Sequence, residues 1–161
     1  MNSRLRVLAL IFLGLACASD GVGVSTSFDP LARFPATATY VWDEAESSMP
    51  QDQRLADLTP LLKQAAEEEF GKRGYRAVES GPSDYRLAYN FLVRTMMSAE
   101  RSRTTGSLSL SLIDSTSKQL AWIGFGRAEI HVGLAPEERK ERLRQAFERM
   151  LKDFPPSQRG N

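Results

Sequence analysis

His131 is the only histidine and Cys17 the only cysteine in the 161 residues, so most of the side-chain chemistry that a sequence can advertise is missing. A Ser-His-Asp triad or a zinc site of the HExxH kind would have to be built around His131, and neither pattern surrounds it. A metal site would be left with carboxylates, which suit hard ions, and no loop in the chain has their spacing. His131 therefore reads as a surface or strand-end histidine, and no metal or other cofactor is expected. The carboxylate groups Glu67-Glu68-Glu69 and Glu137-Glu138 could in type serve a glycosidase, but they sit among Lys and Arg on helical segments and read as solvated faces. Gly21-Val22-Gly23 and Gly124-Phe125-Gly126 are GxG fragments. Neither opens a helix after a strand, as phosphate binding requires, so they read as strand glycines marking a bulge or a close approach of backbone.

The elements that would position any site follow from periodicity. Gly21 to Ser27 and Thr37 to Trp42 read as strands. Thr59 and Pro60 open a helix whose apolar stripe is Leu61, Leu62, Ala65, Ala66 and Phe70, and Gly74 closes it. Tyr75 to Glu79 is a short strand. Tyr85 to Val93 alternates without a break, as do Leu108, Leu110 and Leu112 with Ser107, Ser109 and Ser111, and a further run goes from Leu120 to about residue 132. Thr95 to Thr105 reads as a long loop, and Asp114 to Lys118 as a short polar connection. Pro136-Glu137-Glu138 starts a last helix carrying Leu143, Ala146, Phe147, Met150 and Leu151. The whole predicts an α+β domain, an antiparallel sheet of about five to six strands with two helices packed on one face in a two-layer sandwich. Trp42, Trp122 and the leucine stripes form its core.

The first residues follow other rules. Arg4 and Arg6 precede an apolar run from Val7 to Leu13, too short to span a bilayer, which is the profile of a signal peptide. Leu13-Gly14-Leu15-Ala16-Cys17 resembles the lipobox of bacterial lipoproteins, in which the cysteine is acylated and becomes the N-terminus, although Gly14 stands where an aliphatic residue is usual. Ala16-Cys17-Ala18 also fits ordinary signal cleavage, which would discard the cysteine. The lipoprotein reading divides the chain into a signal peptide over 1–16, an acylated N-terminus and tether over 17–20, a single domain over 21–156 and a disordered tail over 157–161. Ala18 and Ser19 resemble the residues that send such proteins to the outer membrane. Without Arg4 and Arg6 the 21 Lys plus Arg become 19 against 20 Asp plus Glu, so the mature chain is near neutral and is not expected to bind nucleic acid.

Val22 to Asp29-Pro30, Phe34, Thr39-Tyr40-Val41-Trp42, Arg73-Gly74-Tyr75, Asp84, Gly106-Ser107-Leu108, Asp114, Trp122-Ile123-Gly124 and Phe154-Pro155-Pro156 together resemble the bacterial lipoproteins grouped as domain of unknown function 4136. The likeness spans nearly the whole mature chain. It implies a protein of the bacterial cell envelope, facing the periplasm, and carries over no catalytic residue. The leading expectation is thus a non-enzymatic binding or assembly module, held to a membrane through an acyl anchor on Cys17, with an envelope protein or ligand as its partner. A carrier of an apolar or lipid-like ligand is the first alternative; it would need a cavity of about 300 Å³ or more, lined by Tyr89, Phe91, Leu110 and Phe147. A hydrolase built only from Asp, Glu and Ser is the second. Alternation turns Leu92, Ile123 and Phe125 outward, away from the helices, and makes them the candidate partner face. A bulge at Gly124 or Gly126 would reverse that parity and bury Phe125.

Overall fold

The computed structural model describes residues 22–50, 57–97, 102–129 and 133–156. In chain order these form β1 (Gly23–Phe28), β2 (Ala38–Trp42), α1 (Leu58–Gly71), β3 (Tyr75–Ala77), β4 (Tyr85–Met97), β5 (Ser102–Asp114), β6 (Leu120–Glu129) and α2 (Pro136–Met150). The strands make one sheet in the order β1-β6-β5-β4-β2-β3. As the periodicity predicts, the domain is α+β, with six strands and two helices on one face. The sheet is mixed rather than wholly antiparallel as expected: β2 runs parallel to both β3 and β4, while β4, β5, β6 and β1 pair antiparallel. The reason is the connection, because α1 carries the chain back across the sheet between β2 and β3, and a helical crossover joins parallel strands.

Two boundaries differ from expectation. The loop assigned to Thr95–Thr105 is mostly strand, since β4 and β5 pair from Tyr85↔Asp114 out to Met97↔Ser102, with the Thr95 and Thr104 hydroxyls 3.1 Å apart across them. Alternating polar residues on two long neighbouring strands look like a loop in one dimension and like a solvated ribbon in three. Helix α1 starts at Leu58 behind Asp57 rather than behind Thr59, and its last residue is Gly71. Gly74 then turns the chain into β3 with φ +82°, where a Cβ would lie 2.3 Å from the Ala36 carbonyl oxygen, so only glycine fits. The strand-start Gly21, His131, the tail over 157–161 and Cys17 lie outside the described residues.

The core lies between the sheet's inner face and the helices. Leu87, Leu110 and Leu112 are fully buried, as are Phe70 and Phe147 from the helices. Trp122 is 2% exposed and its ring meets Phe70 edge-on at 6.3 Å. Gly124, next along the inner face, leaves room for α2: a Cβ there would stand 2.6 Å from Met150 Sδ and 2.4 Å from the Trp122 ring. The register shift in this part of the sheet falls at Leu112/Ile113 and leaves the parity of 123–127 intact.

The parallel junction is held from outside by Asp84, whose carboxylate accepts the Thr39 amide at 2.7 Å and the Thr39 hydroxyl at 2.8 Å. The Thr39 amide bond above all, then the hydroxyl bond, keeps the Asp84 carboxyl below the usual carboxylate range. Because the folded pKa is depressed, the stabilisation is present above the unfolded value near 3.9 and is lost as the pH falls through the folded one. Melting temperature measured against pH is therefore expected to fall less steeply below about pH 4 in Asp84→Asn than in the wild type. Replacing Trp122 by Ala is expected to cost about 3 to 5 kcal/mol in denaturant unfolding, the range for a large buried aromatic.

Candidate functional site

The outer face of the sheet is built by strict alternation. Its residues form rows across the strands: Ser25, Phe125, Ser109 and Asn90 in one, Gly23, Arg127, Ser107 and Leu92 in the next. Phe125 is 47% exposed and Leu92 56%. Phe125 is flanked directly by two serines, too short to cover its ring. Leu92 and Phe125 stand on strands two apart, about 9 to 10 Å across the sheet, with Ser107 and Ser109 of β5 between them. The result is an open groove of about 590 Å³ with two apolar walls and a hydroxyl floor.

Of the three residues expected to form a partner face, the groove brings Leu92 and Phe125 together. Ile123 shares their face but is half-buried, one row further along between Ser27 and Ser111, and it does not line the groove. Arg127 was not singled out from sequence, although alternation with Phe125 places it there. Arg94 lies on the same face, opposite Thr105. Neither guanidinium has an ion-pair partner among the described residues, whereas Arg86, further down the same strand, sits 2.6 Å from the buried Asp43 carboxylate.

A second concavity lies on the inner side, where α2 rises from the end of β6. It is an apolar cleft of about 130 Å³ lined chiefly by Val22, Leu58, Phe91, Leu108, Leu143 and Ala146, with Arg139 and Arg142 among its walls. The cavity expected of a carrier differs in size and lining: Leu110 and Phe147 are fully buried in the packed core, and only Phe91 of the four named residues reaches the cleft.

The groups that could have done chemistry have structural partners. Glu67 accepts the Trp42 indole N–H at 2.7 Å, and Glu68 accepts the Gln64 amide at 3.0 Å. Glu138 accepts the Ala135 backbone amide at 3.0 Å and so caps α2. Glu69 departs from the solvated-face reading: it is 1% exposed. Burial alone would raise its pKa, but hydrogen bonds from Lys72 and Arg73 outweigh that and hold its carboxyl below the usual range. On α2, Arg139 pairs with Asp57 at 2.8 Å and Arg144 with Glu141 at 2.7 Å, as an ordinary charged face does. Among the described residues no cluster of His, Cys, Asp and Glu could hold a metal ion.

The model of the family described as domain of unknown function (DUF4136) matches residues 24–156, which take in both helices and all of the sheet but Gly23. The chain belongs to the DUF4136 family. No curated protein matches the sequence. The DUF4136 fold recurs in solved structures at low identity. A PelC dodecamer from Paraburkholderia phytofirmans is 13% identical, with a TM-score of 0.53 over 81% of this chain and 94% of that one. A PDZ domain protein from Parabacteroides distasonis is 12% identical, with a TM-score of 0.54 over 88% of this chain and 38% of that one. Both likenesses concern the fold.

Since Phe125 projects from the DUF4136 sheet and is 47% exposed, Phe125→Ser is expected to lower the unfolding free energy by about 1 kcal/mol, well short of the loss at a fully buried aromatic. Denaturant titration of the variant beside the wild type measures this.

Proposed function

We propose that this DUF4136 protein is a lipoprotein of the bacterial cell envelope, held to a membrane through an acylated Cys17, and that its domain is a non-enzymatic assembly module. The observation that carries the assembly reading is the groove on the outer sheet face. Large exposed apolar side chains set together on an otherwise serine-covered surface, beside unpaired guanidinium groups, are typical of a contact surface and serve no purpose in an isolated domain. The partner we favour is a second copy of the chain, because a PelC chain of the same fold is found as a dodecamer. The carrier reading has less support, since the apolar cleft of about 130 Å³ is well short of the roughly 300 Å³ of an ordinary ligand pocket.

The anchor rests on the lone cysteine behind a short apolar run. Several acyl chains, each contributing about 0.8 kcal/mol per buried methylene, hold a protein on a bilayer essentially permanently.

Two measurements test the proposal. Metabolic labelling with a fatty acid is expected to mark the wild type and to leave Cys17→Ser unlabelled; an unlabelled wild type would mean ordinary cleavage after Ala18 and no anchor. Analytical ultracentrifugation of the protein in detergent is expected to show an oligomer that Phe125→Ser or Leu92→Ser shifts toward monomer. A wild type that stays monomeric at every concentration, or an oligomer indifferent to both substitutions, refutes assembly through this face.

A further inference from the structure

The cleft between β6 and α2 lies at the margin of the packed core, which supplies Leu58, Phe91 and Leu108 to its wall. Its lining is almost wholly carbon, from Leu58, Phe91, Leu108, Leu143 and Ala146. At about 130 Å³ it is close to the engineered apolar cavities of about 150 Å³ that stay dry and take up a benzene molecule, so it suits a hydrocarbon segment of about six carbons. One further feature bears on what fills it. Val22, the first described residue, is itself part of the wall, and only four residues lie between it and Cys17, a reach of at most about 18 Å.

We infer that the cleft receives, within the same molecule, the end of one acyl chain carried by Cys17. The inference rests on the lipoprotein reading above and adds to it a second resting place for the anchor. A chain seated under α2 is withdrawn from the bilayer, so the anchor exchanges between membrane and protein.

The test uses the full-length protein made in cells fed a fatty acid with a photoreactive diazirine at its far end. After irradiation and proteolysis, mass spectrometry is expected to join the Cys17 peptide to peptides containing Leu108, Leu143 or Ala146 of the same chain. Ala146→Trp fills the cleft and is expected to abolish those cross-links while the protein remains labelled; Ala146→Leu adds only three carbons and serves where the tryptophan variant does not fold. A labelled protein whose cross-links go only to bilayer lipids or to other proteins overturns this inference and leaves the anchor standing. A wild type that takes up no fatty acid overturns both. In a third arm, Cys17→Ser is placed in vesicles of a diazirine-bearing phosphatidylethanolamine; cross-links to the cleft there, with none from the Cys17 lipid in the wild type, would make the occupant a bilayer lipid and end the intramolecular proposal.

Discussion

The rest of this domain depends on one cluster of rings, centred on Phe70 at the end of α1 and Phe154 just beyond α2. The two meet edge-on with centroids 5.3 Å apart. Phe70 also meets Tyr40 at 5.4 Å and Trp122 at 6.3 Å, while Phe154 meets Tyr75 at 4.9 Å, Trp122 at 5.3 Å and Phe34 at 5.9 Å. These rings come from β2, β3, β6, α1, the segment just beyond α2 and the loop before β2, so the cluster joins segments that no local hydrogen bonding would bring together. Edge-to-face pairs add about 0.5 to 1.5 kcal/mol each beyond the area they bury, which makes the arrangement directional as well as apolar. Polar ties then fix its rim. Arg73 donates through Nε to the Leu151 carbonyl at 2.6 Å and through Nη1 to the Glu69 carbonyl at 2.7 Å, binding the end of α1 to the end of α2. Glu69 is buried beside it to balance that guanidinium, which is why a glutamate is found in the core at all.

Concentrating the large side chains on one face has a consequence for the other. The inner positions of β5 are Leu108, Leu110 and Leu112, and the outer ones are Ser107, Ser109 and Ser111, so the sheet is thick toward the helices and thin toward solvent. Any bulky residue on the thin side stands proud of its neighbours. Leu92 and Phe125 do so without covering each other, because a full strand of serines separates them. That is the geometry of a groove. A compact apolar patch would instead bury part of itself.

Much of this was legible in the sequence, and the parts that were not share a cause. The order of all eight elements follows from periodicity, and so does the outward direction of Phe125, because period-2 alternation is a local property carried by the residues themselves. The parallel placement of β2 is not local: it depends on where α1 delivers the chain, and the carboxylate that secures it, Asp84, lies 45 positions from Thr39. Phe154 reads as the stop of a helix beside two prolines, yet it is a hub of the core, since nothing in its neighbourhood announces the rings it meets. Glu69 sits in a run of three glutamates that looks uniformly solvated; only the rotation of α1 against the sheet decides which of the three turns in. The cleft was invisible for the same reason. Its wall is assembled from β4, β5, β6, α1, α2 and Val22, and no segment of the chain contains more than a fragment of it.

The two surfaces are separated by the thickness of a single sheet. Leu108, Gly126 and Arg127 border both the groove and the cleft, whereas Phe125 lines only the outer one. β6 cannot shift without moving both, because its inner glycines are packed against Met150 and its outer residues are paired across β1 and β5. Interfaces and packed cores tend to hold discrete arrangements, and an element that carries one of each transmits a displacement from one side to the other. Occupying the inner cleft would press on α2 and β6 from within, at the strand whose outward Phe125 forms a wall of the groove. On the proposed reading, with an acyl chain on one side of this strand and a contact surface on the other, the domain would have the physical means to make assembly depend on where its anchor lies.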